Sequence, residues 1–281
     1  MADLDLSRRE ALAALAAAGG YALAANPVLA QAIKTDTQGL VAGTVNVAGA
    51  DGTPIPIYEA YPDQAGEFPV VVVVSEVWGV HEWIRDVTRR FAKEGYYAVA
   101  PELFSREGGL AQVTDMQKVL GTVFGSPLKR VLGDLRAAAE YARKQPAARG
   151  DRVGVTGFCW GGQMTLTFPA FYKDTRAAVA WYGPPSRTHK DEPKPVAPLD
   201  VAAEVPCPVL LLYGGADQSI PVADVEKEAA ALKGAGRTVE SHVYPDAPHG
   251  FFADYRPSYR PEAAKDAWGR CLGWFQKYLK A

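Results

Sequence analysis

One cysteine in this chain stands where its sulfur could act as a nucleophile. The run Val153-Gly154-Val155-Thr156-Gly157-Phe158-Cys159-Trp160-Gly161-Gly162 leads an apolar segment into Gly-x-Cys-x-Gly and then into Gln163-Met164-Thr165-Leu166. That is the layout of a nucleophile elbow, a sharp strand-to-helix turn that lifts one side chain clear of a sheet. The turn residue sits in a strained backbone conformation, and flanking residues with a Cβ would clash with the strand or with an arriving substrate. The residue presented is cysteine where such elbows usually carry serine, so the chemistry expected is that of a thiol hydrolase.

Two further loops carry the groups that a thiol would need. Asp217 follows Leu210-Leu211-Leu212-Tyr213-Gly214-Gly215-Ala216, and His249 lies in Asp246-Ala247-Pro248-His249-Gly250-Phe251. Nucleophile, acid and histidine, separated by 58 and 32 residues, follow the α/β-hydrolase order. A free thiol has a pKa of about 8.5 and is only a few per cent ionised at neutral pH, so a neighbouring imidazolium is needed to favour the thiolate. Asp217 would take the other ring proton of His249 and fix its tautomer. The N–H of Trp160, directly after the nucleophile, is the first expected oxyanion donor. Glu76 is a less usual element. It follows the valine run Val70–Val74 in Glu76-Val77-Trp78-Gly79, where a negative charge beside a thiolate disfavours ionisation of both. Its functional reading is a carboxylate that keeps the resting thiol protonated and is displaced, or takes the proton, when substrate arrives.

The elements that must position these residues alternate along the chain. An antiparallel hairpin is expected from Thr44–Val47 and Pro56–Tyr61 around Ala50-Asp51-Gly52, and Val70–Val74 reads as a strand buried on both faces. A helix over 81–94, a strand over 97–100, a helix opened by Ser126 as N-cap and Pro127, and the elbow follow. Strands at 177–182, 209–213 and 239–244 then alternate with helices at 222–233 and 261–278. Ser186–Pro198 reads as a surface excursion. The pattern specifies one α/β domain over 33–281, a mostly parallel sheet with helices on both faces. A net charge of −2 gives no argument for nucleic acid or an anionic membrane as partner. The four histidines (His81, His189, His242, His249) and three cysteines (Cys159, Cys207, Cys271) lack metal-ligand spacing, so neither metal nor cofactor is expected. His81, His189 and His242 are read as structural, as are the thiols of Cys207 and Cys271.

Residues 1–32 read as a targeting segment. Ser7-Arg8-Arg9 precedes an uncharged, alanine-rich run from Ala11 that ends in Ala30-Gln31-Ala32, and it resembles a twin-arginine signal peptide. The expectation is an exported bacterial protein, periplasmic or secreted, handled folded by the twin-arginine machinery. No stable membrane span is expected after processing, and cleavage after Ala30 and after Ala32 are both compatible with the motif.

Together, Glu76-Val77-Trp78-Gly79, Pro101-Glu102-Leu103-Phe104-Ser105-Arg106, Gly157-Phe158-Cys159-Trp160-Gly161-Gly162, Tyr213-Gly214-Gly215-Ala216-Asp217 and Pro248-His249-Gly250-Phe251 resemble the dienelactone hydrolase (carboxymethylenebutenolidase) family, from about Val41 onward. The resemblance implies an α/β-hydrolase fold with Cys159, Asp217 and His249 as triad and Glu76 as gatekeeper. It further implies Val77 and Trp160 as oxyanion donors and Arg106 as a ligand for a substrate carboxylate. One departure stands out: the second family arginine, four residues beyond the histidine, is Ala253 here, with Arg256 three residues further on. A small lactone or carboxylic ester, cleaved through a cysteinyl thioester, is the expected substrate. The rival reading is a thiol-based redox-sensing or binding protein on the same fold, which lacks a nearby resolving cysteine and gives His249 and Asp217 no role.

Overall fold

The computed structural model describes residues 32–186, 193 and 195–281; the segment read as a twin-arginine signal, up to residue 31, His189 and most of the 186–198 excursion lie outside the described residues. Eight strands form one sheet in the order β1-β2-β4-β3-β5-β6-β7-β8: β1 Leu40–Ala48, β2 Pro54–Pro62, β3 Phe68–Val74, β4 Tyr97–Pro101, β5 Ala148–Phe158, β6 Thr175–Trp181, β7 Val209–Gly214 and β8 Val239–Tyr244. The β1–β2 and β2–β4 pairs are antiparallel, and every pair from β4 through β3 to β8 is parallel. This is the α/β-hydrolase arrangement.

Hydrophobic burial sets the middle of the sheet. All five valines of β3 are fully buried, as expected of a strand covered on both faces. The flanking helices are α1 Glu82–Lys93, α2 Met116–Gly125, α3 Leu128–Ala142, α4 Trp160–Phe171, α5 Val222–Gly234 and α6 Pro261–Phe275. The α3 stripe Leu128, Val131, Leu132, Leu135, Ala138, Ala139 and Ala142 is buried as its spacing predicts. Helix α2 is unanticipated: Asp115 caps it by accepting from the N–H groups of Gln117 and Lys118. Ser126, read as an N-cap, closes α2 instead. Its hydroxyl and its N–H both donate to the Thr122 carbonyl, and Pro127 occupies the N-cap of α3.

Helix α5 buries a carboxyl without a partner. Glu228 is fully buried, neither of its side-chain oxygens has a hydrogen bond among the described residues, and burial pushes its pKa up from 4.5 to about 8. Between those values the folded chain holds a proton that the unfolded chain releases, so stability falls as pH rises through that window. Glu228→Gln removes the titrating group. It is expected to raise Tm by about 5 °C or more at pH 8 and to leave it unchanged near pH 4. Thermal unfolding of the two proteins across that range checks this.

Candidate active site

Cys159 is the single residue between the end of β5 and the start of α4, held at φ 57° and ψ −120°. Close packing permits no roomier turn. A Cβ on Gly157 would lie 2.3 Å from the Gly161 carbonyl oxygen, and one on Gly161 would lie 2.3 Å from that of Val74. The N-terminus of α4 therefore rests on the exit of β3, where Ser75-Glu76-Val77 begins. The Cys159 N–H donates to the Trp181 carbonyl at 3.0 Å, tying the elbow to β6.

The loop after β8 brings His249 to the elbow. Its Nδ1 lies 2.7 Å from Asp217 Oδ2 and the ring is electrostatically coupled to Cys159; with Nδ1 taken by Asp217, Nε2 is the nitrogen left for the sulfur. Asp217 is itself held in place: its Oδ1 accepts from the Ser219 N–H at 2.8 Å, the Ser219 hydroxyl at 2.7 Å and the Ile220 N–H at 3.1 Å. Burial would raise the pKa of Asp217, but its bond to His249 and those from Ser219 keep it below the ordinary carboxylate range. Burial would likewise lower His249, yet its coupling to Cys159 and the Asp217 hydrogen bond outweigh it and push the imidazole up to about 10. The shift favours the protonated ring, and Nε2 is the nitrogen that Asp217 does not take.

Glu76 lies fully buried behind this pair. Its Oε2 accepts from the Tyr255 hydroxyl at 2.8 Å and from Arg256 Nη2 at 2.9 Å, and the Arg256 Nε donates to the same Tyr255 oxygen at 3.0 Å. Oε1 has no hydrogen-bond partner among the described residues. His81 Nε2 is 3.9 Å from Oε2, but burial lowers this imidazole to about 4, so it faces Glu76 uncharged at neutral pH. Burial lowers the tendency of Arg256 to hold its proton, and the neighbouring Glu76 more than restores it.

Each residue read from the sequence has a place. Cys159, Asp217 and His249 meet. Trp160 opens α4, where a first-turn N–H points out of the helix N-terminus, and Val77 is buried directly after Glu76. Arg106 is differently engaged. It lies in a turn after β4, and its guanidinium is gripped by Asp134 at 2.6 Å and Asp51 at 2.6 Å, so the cation assigned to a substrate carboxylate is already neutralised by two protein carboxylates. Sequence reasoning gave no part in the site to four of its neighbours: His81, which it read as structural, Tyr182, Tyr255 and Arg256. Tyr182 sits at the end of β6 with φ 38°, a strained value for a non-glycine residue, and its ring meets His249 edge-on at 5.1 Å. The available signal for the others was a charged, aromatic Asp254-Tyr255-Arg256 directly beyond the histidine loop.

The model of the dienelactone hydrolase family matches residues 55–279. The chain belongs to that family. A curated protein of Methylorubrum extorquens, named "Putative carboxymethylenebutenolidase", is 47% identical over 99% of this chain and 95% of its own length. One of the same name from Escherichia coli K12 is 44% identical over 92% of this chain and 95% of its own. A crystal structure described as a "Putative Dienelactone Hydrolase" from Klebsiella pneumoniae superposes with a TM-score of 0.81 at 43% identity, covering 85% of this chain and 99% of that one. Family membership thus accords with the sheet order.

The buried Glu76–Arg256 pair makes a specific energetic prediction. Arg256→Met leaves the carboxylate without its cation and is expected to cost about 3–5 kcal/mol in urea unfolding. Glu76→Gln added to that variant is expected to recover most of the loss. Absence of recovery would mean that Arg256 stabilises the fold by packing alone.

Proposed function

We propose that this chain hydrolyses a small lactone or carboxylic ester through a thioester on Cys159. The observation that carries the reading is the His249 imidazole, hydrogen-bonded to Asp217 through Nδ1 and electrostatically coupled to Cys159. Membership of the dienelactone hydrolase family supports ester or lactone hydrolysis. The Cys159 thiolate attacks the acyl carbon and the carbonyl electron pair moves onto oxygen, where the N–H groups of Trp160 and Val77 stabilise it. Collapse expels the alkoxide, which takes the proton from His249 Nε2. A lactone opened in this way stays tethered as the thioester. Water, deprotonated by His249, then releases the acid and the thiol.

Glu76 is the gatekeeper in this reading. Held by Tyr255 and Arg256, it adds a negative charge near the thiol in the resting enzyme. A substrate carboxylate that competes for Arg256 would release Glu76, whereas Arg106 is already committed to Asp51 and Asp134. No observation favours the redox-sensing alternative, since burial pushes Cys207 up to about 12 and Cys271 well above its ordinary value. We also assign residues 1–32 to a twin-arginine signal and the processed protein to the periplasm or exterior. The arginine pair, the uncharged run and the Ala30-Gln31-Ala32 site support this, and no helix among the described residues is long and apolar enough to cross a membrane.

Three measurements test the mechanism. His249→Gln is expected to cut kcat by about 10²–10⁴-fold with little change in Tm; a collapse of Tm instead would make His249 structural. Rapid acid quenching during turnover of an aryl ester should yield protein heavier by the acyl group, and Cys159→Ala should show neither the adduct nor turnover. Glu76→Gln is expected to change the rate at which iodoacetamide alkylates Cys159 in the absence of substrate, and an unchanged rate removes the gatekeeper role.

A further inference from the structure

The chain segment ahead of β1 lies along α1 through a series of side-chain contacts. Asp86 Oδ1 accepts from the Thr35 N–H at 2.6 Å, Arg89 Nε donates to the Thr35 carbonyl at 2.8 Å, and Lys93 donates to Asp36 at 2.6 Å and to the Gln38 carbonyl at 2.6 Å. At the start of this strap the Ile33 N–H donates to Asp254 Oδ2 at 2.7 Å. Asp254 is a buried carboxylate whose other oxygen accepts from Trp83 Nε1 at 2.6 Å and Arg90 Nη2 at 3.0 Å.

The charges around it do not balance. Among the described residues, the buried Asp254 and Asp86 and the half-exposed Glu82 form ion pairs with Arg89 and Arg90 alone, three carboxylates against two guanidiniums. One more cation beside Asp254 would neutralise the cluster. The nitrogen already at Oδ2 is an amide, and it belongs to the residue directly after Ala30-Gln31-Ala32.

We infer that the Ala32–Ile33 bond is the processing site and that the freed α-ammonium of Ile33 forms an ion pair with Asp254 behind the active site. This rests on the export reading above. A signal peptidase would add water across the bond: the oxygen goes to the new Ala32 carboxylate, and the Ile33 nitrogen leaves as an amine that takes a proton. Cleavage thus turns the neutral donor at 2.7 Å into a charged one, at the loss of the Ala32 N–H that donates to the Asp254 carbonyl at 3.3 Å. Charge-assisted bonds of this kind are roughly twice as strong as neutral ones. The same geometry decides between the two motif-compatible sites, because cleavage after Ala30 would leave Ile33 an amide and put the ammonium two residues away. Asp254 is followed directly by Tyr255 and Arg256, the two residues that hold Glu76, and Trp83 lies against Tyr255 at 5.6 Å between ring centroids. Processing therefore fastens the segment that positions the gatekeeper.

Because the Ala32 nitrogen itself donates to the Asp254 carbonyl at 3.3 Å, chains beginning at Gln31 and at Ile33, released from a fusion by a protease that leaves no extra residue, test the ion pair. The Ile33 chain is expected to melt about 5 °C or more above the Gln31 chain at pH 7. A free α-amine titrates near 7.7–8.0, and Asp254 raises that value in the folded state. The excess is therefore full below about pH 7.7 and fades as pH rises through the folded value. Arg90, Lys93 and Glu94 of α1, with Tyr259, Glu262 and Lys265 at α6, line the adjoining cavity; they are common to both chains and cancel in the difference. Equal melting temperatures, or an excess that pH does not alter, overturn the proposal, as does an excess that survives in Asp254→Asn. In cells, the intact mass of exported protein is expected to begin at Ile33. A start at Gln31 overturns the proposal and leaves export standing, whereas full-length protein confined to the cytoplasm overturns both.

Discussion

A cysteine held in a backbone conformation that its side chain disfavours is the constraint on which the rest of the molecule depends. At φ 57° and ψ −120°, Cys159 sits where residues are placed at a cost of about 1–3 kcal/mol. The sheet imposes that geometry. Gly157 and Gly161 allow the first turn of α4 to lie against the ends of β3 and β5 closer than any Cβ would permit, and Trp181 anchors the Cys159 amide from β6. Three central parallel strands thus converge on one residue, and the buried valines of β3 and apolar residues of β6 supply the packing that offsets the strain.

Electrostatics around the sulfur are arranged in connected tiers. Asp217, satisfied by Ser219 and Ile220, stabilises the imidazolium of His249, which in turn meets Cys159. On the other side, Glu76 is balanced by Arg256 and Tyr255. Behind that pair, Asp254 is linked to Trp83, Arg90 and the Ile33 amide. Residues 254, 255 and 256 are consecutive, so one short turn connects the chain's N-terminal strap to the buried Glu76 carboxylate. A buried charge is tolerated only where it is paired and hydrogen-bonded, and each tier meets that demand by drawing its partner from a distant part of the sequence.

Much of this was legible before folding was considered. The span of β8 was read to the residue, because Val239–Tyr244 is bounded on both sides by turn residues. The elbow and the order cysteine, aspartate, histidine were visible because each sits at the end of an apolar run. The helix at Met116–Gly125 was not, although Met116, Val119, Leu120, Val123 and Phe124 recur at helical spacing, because its boundary lies in Gly125-Ser126-Pro127, where Ser126 suits the end of one helix as well as the start of the next. Arg106 illustrates the opposite failure. The motif around it is clear, but its charge is neutralised by Asp51 in the β1–β2 turn and Asp134 in α3, pairings that no local pattern announces.

The amino-acid sequence alone determined the periodicity of strands and helices, the glycines that make the elbow possible and the cysteine that the elbow presents, because these follow from local sterics and from how often apolar residues recur. Only the tertiary structure decided which cation meets which carboxylate: Arg256 with Glu76, Arg106 with Asp51 and Asp134, Arg90 with Asp254. Charge pairing acts through space over a few ångströms, and residues up to 180 positions apart come within that range only after the sheet has closed around its core.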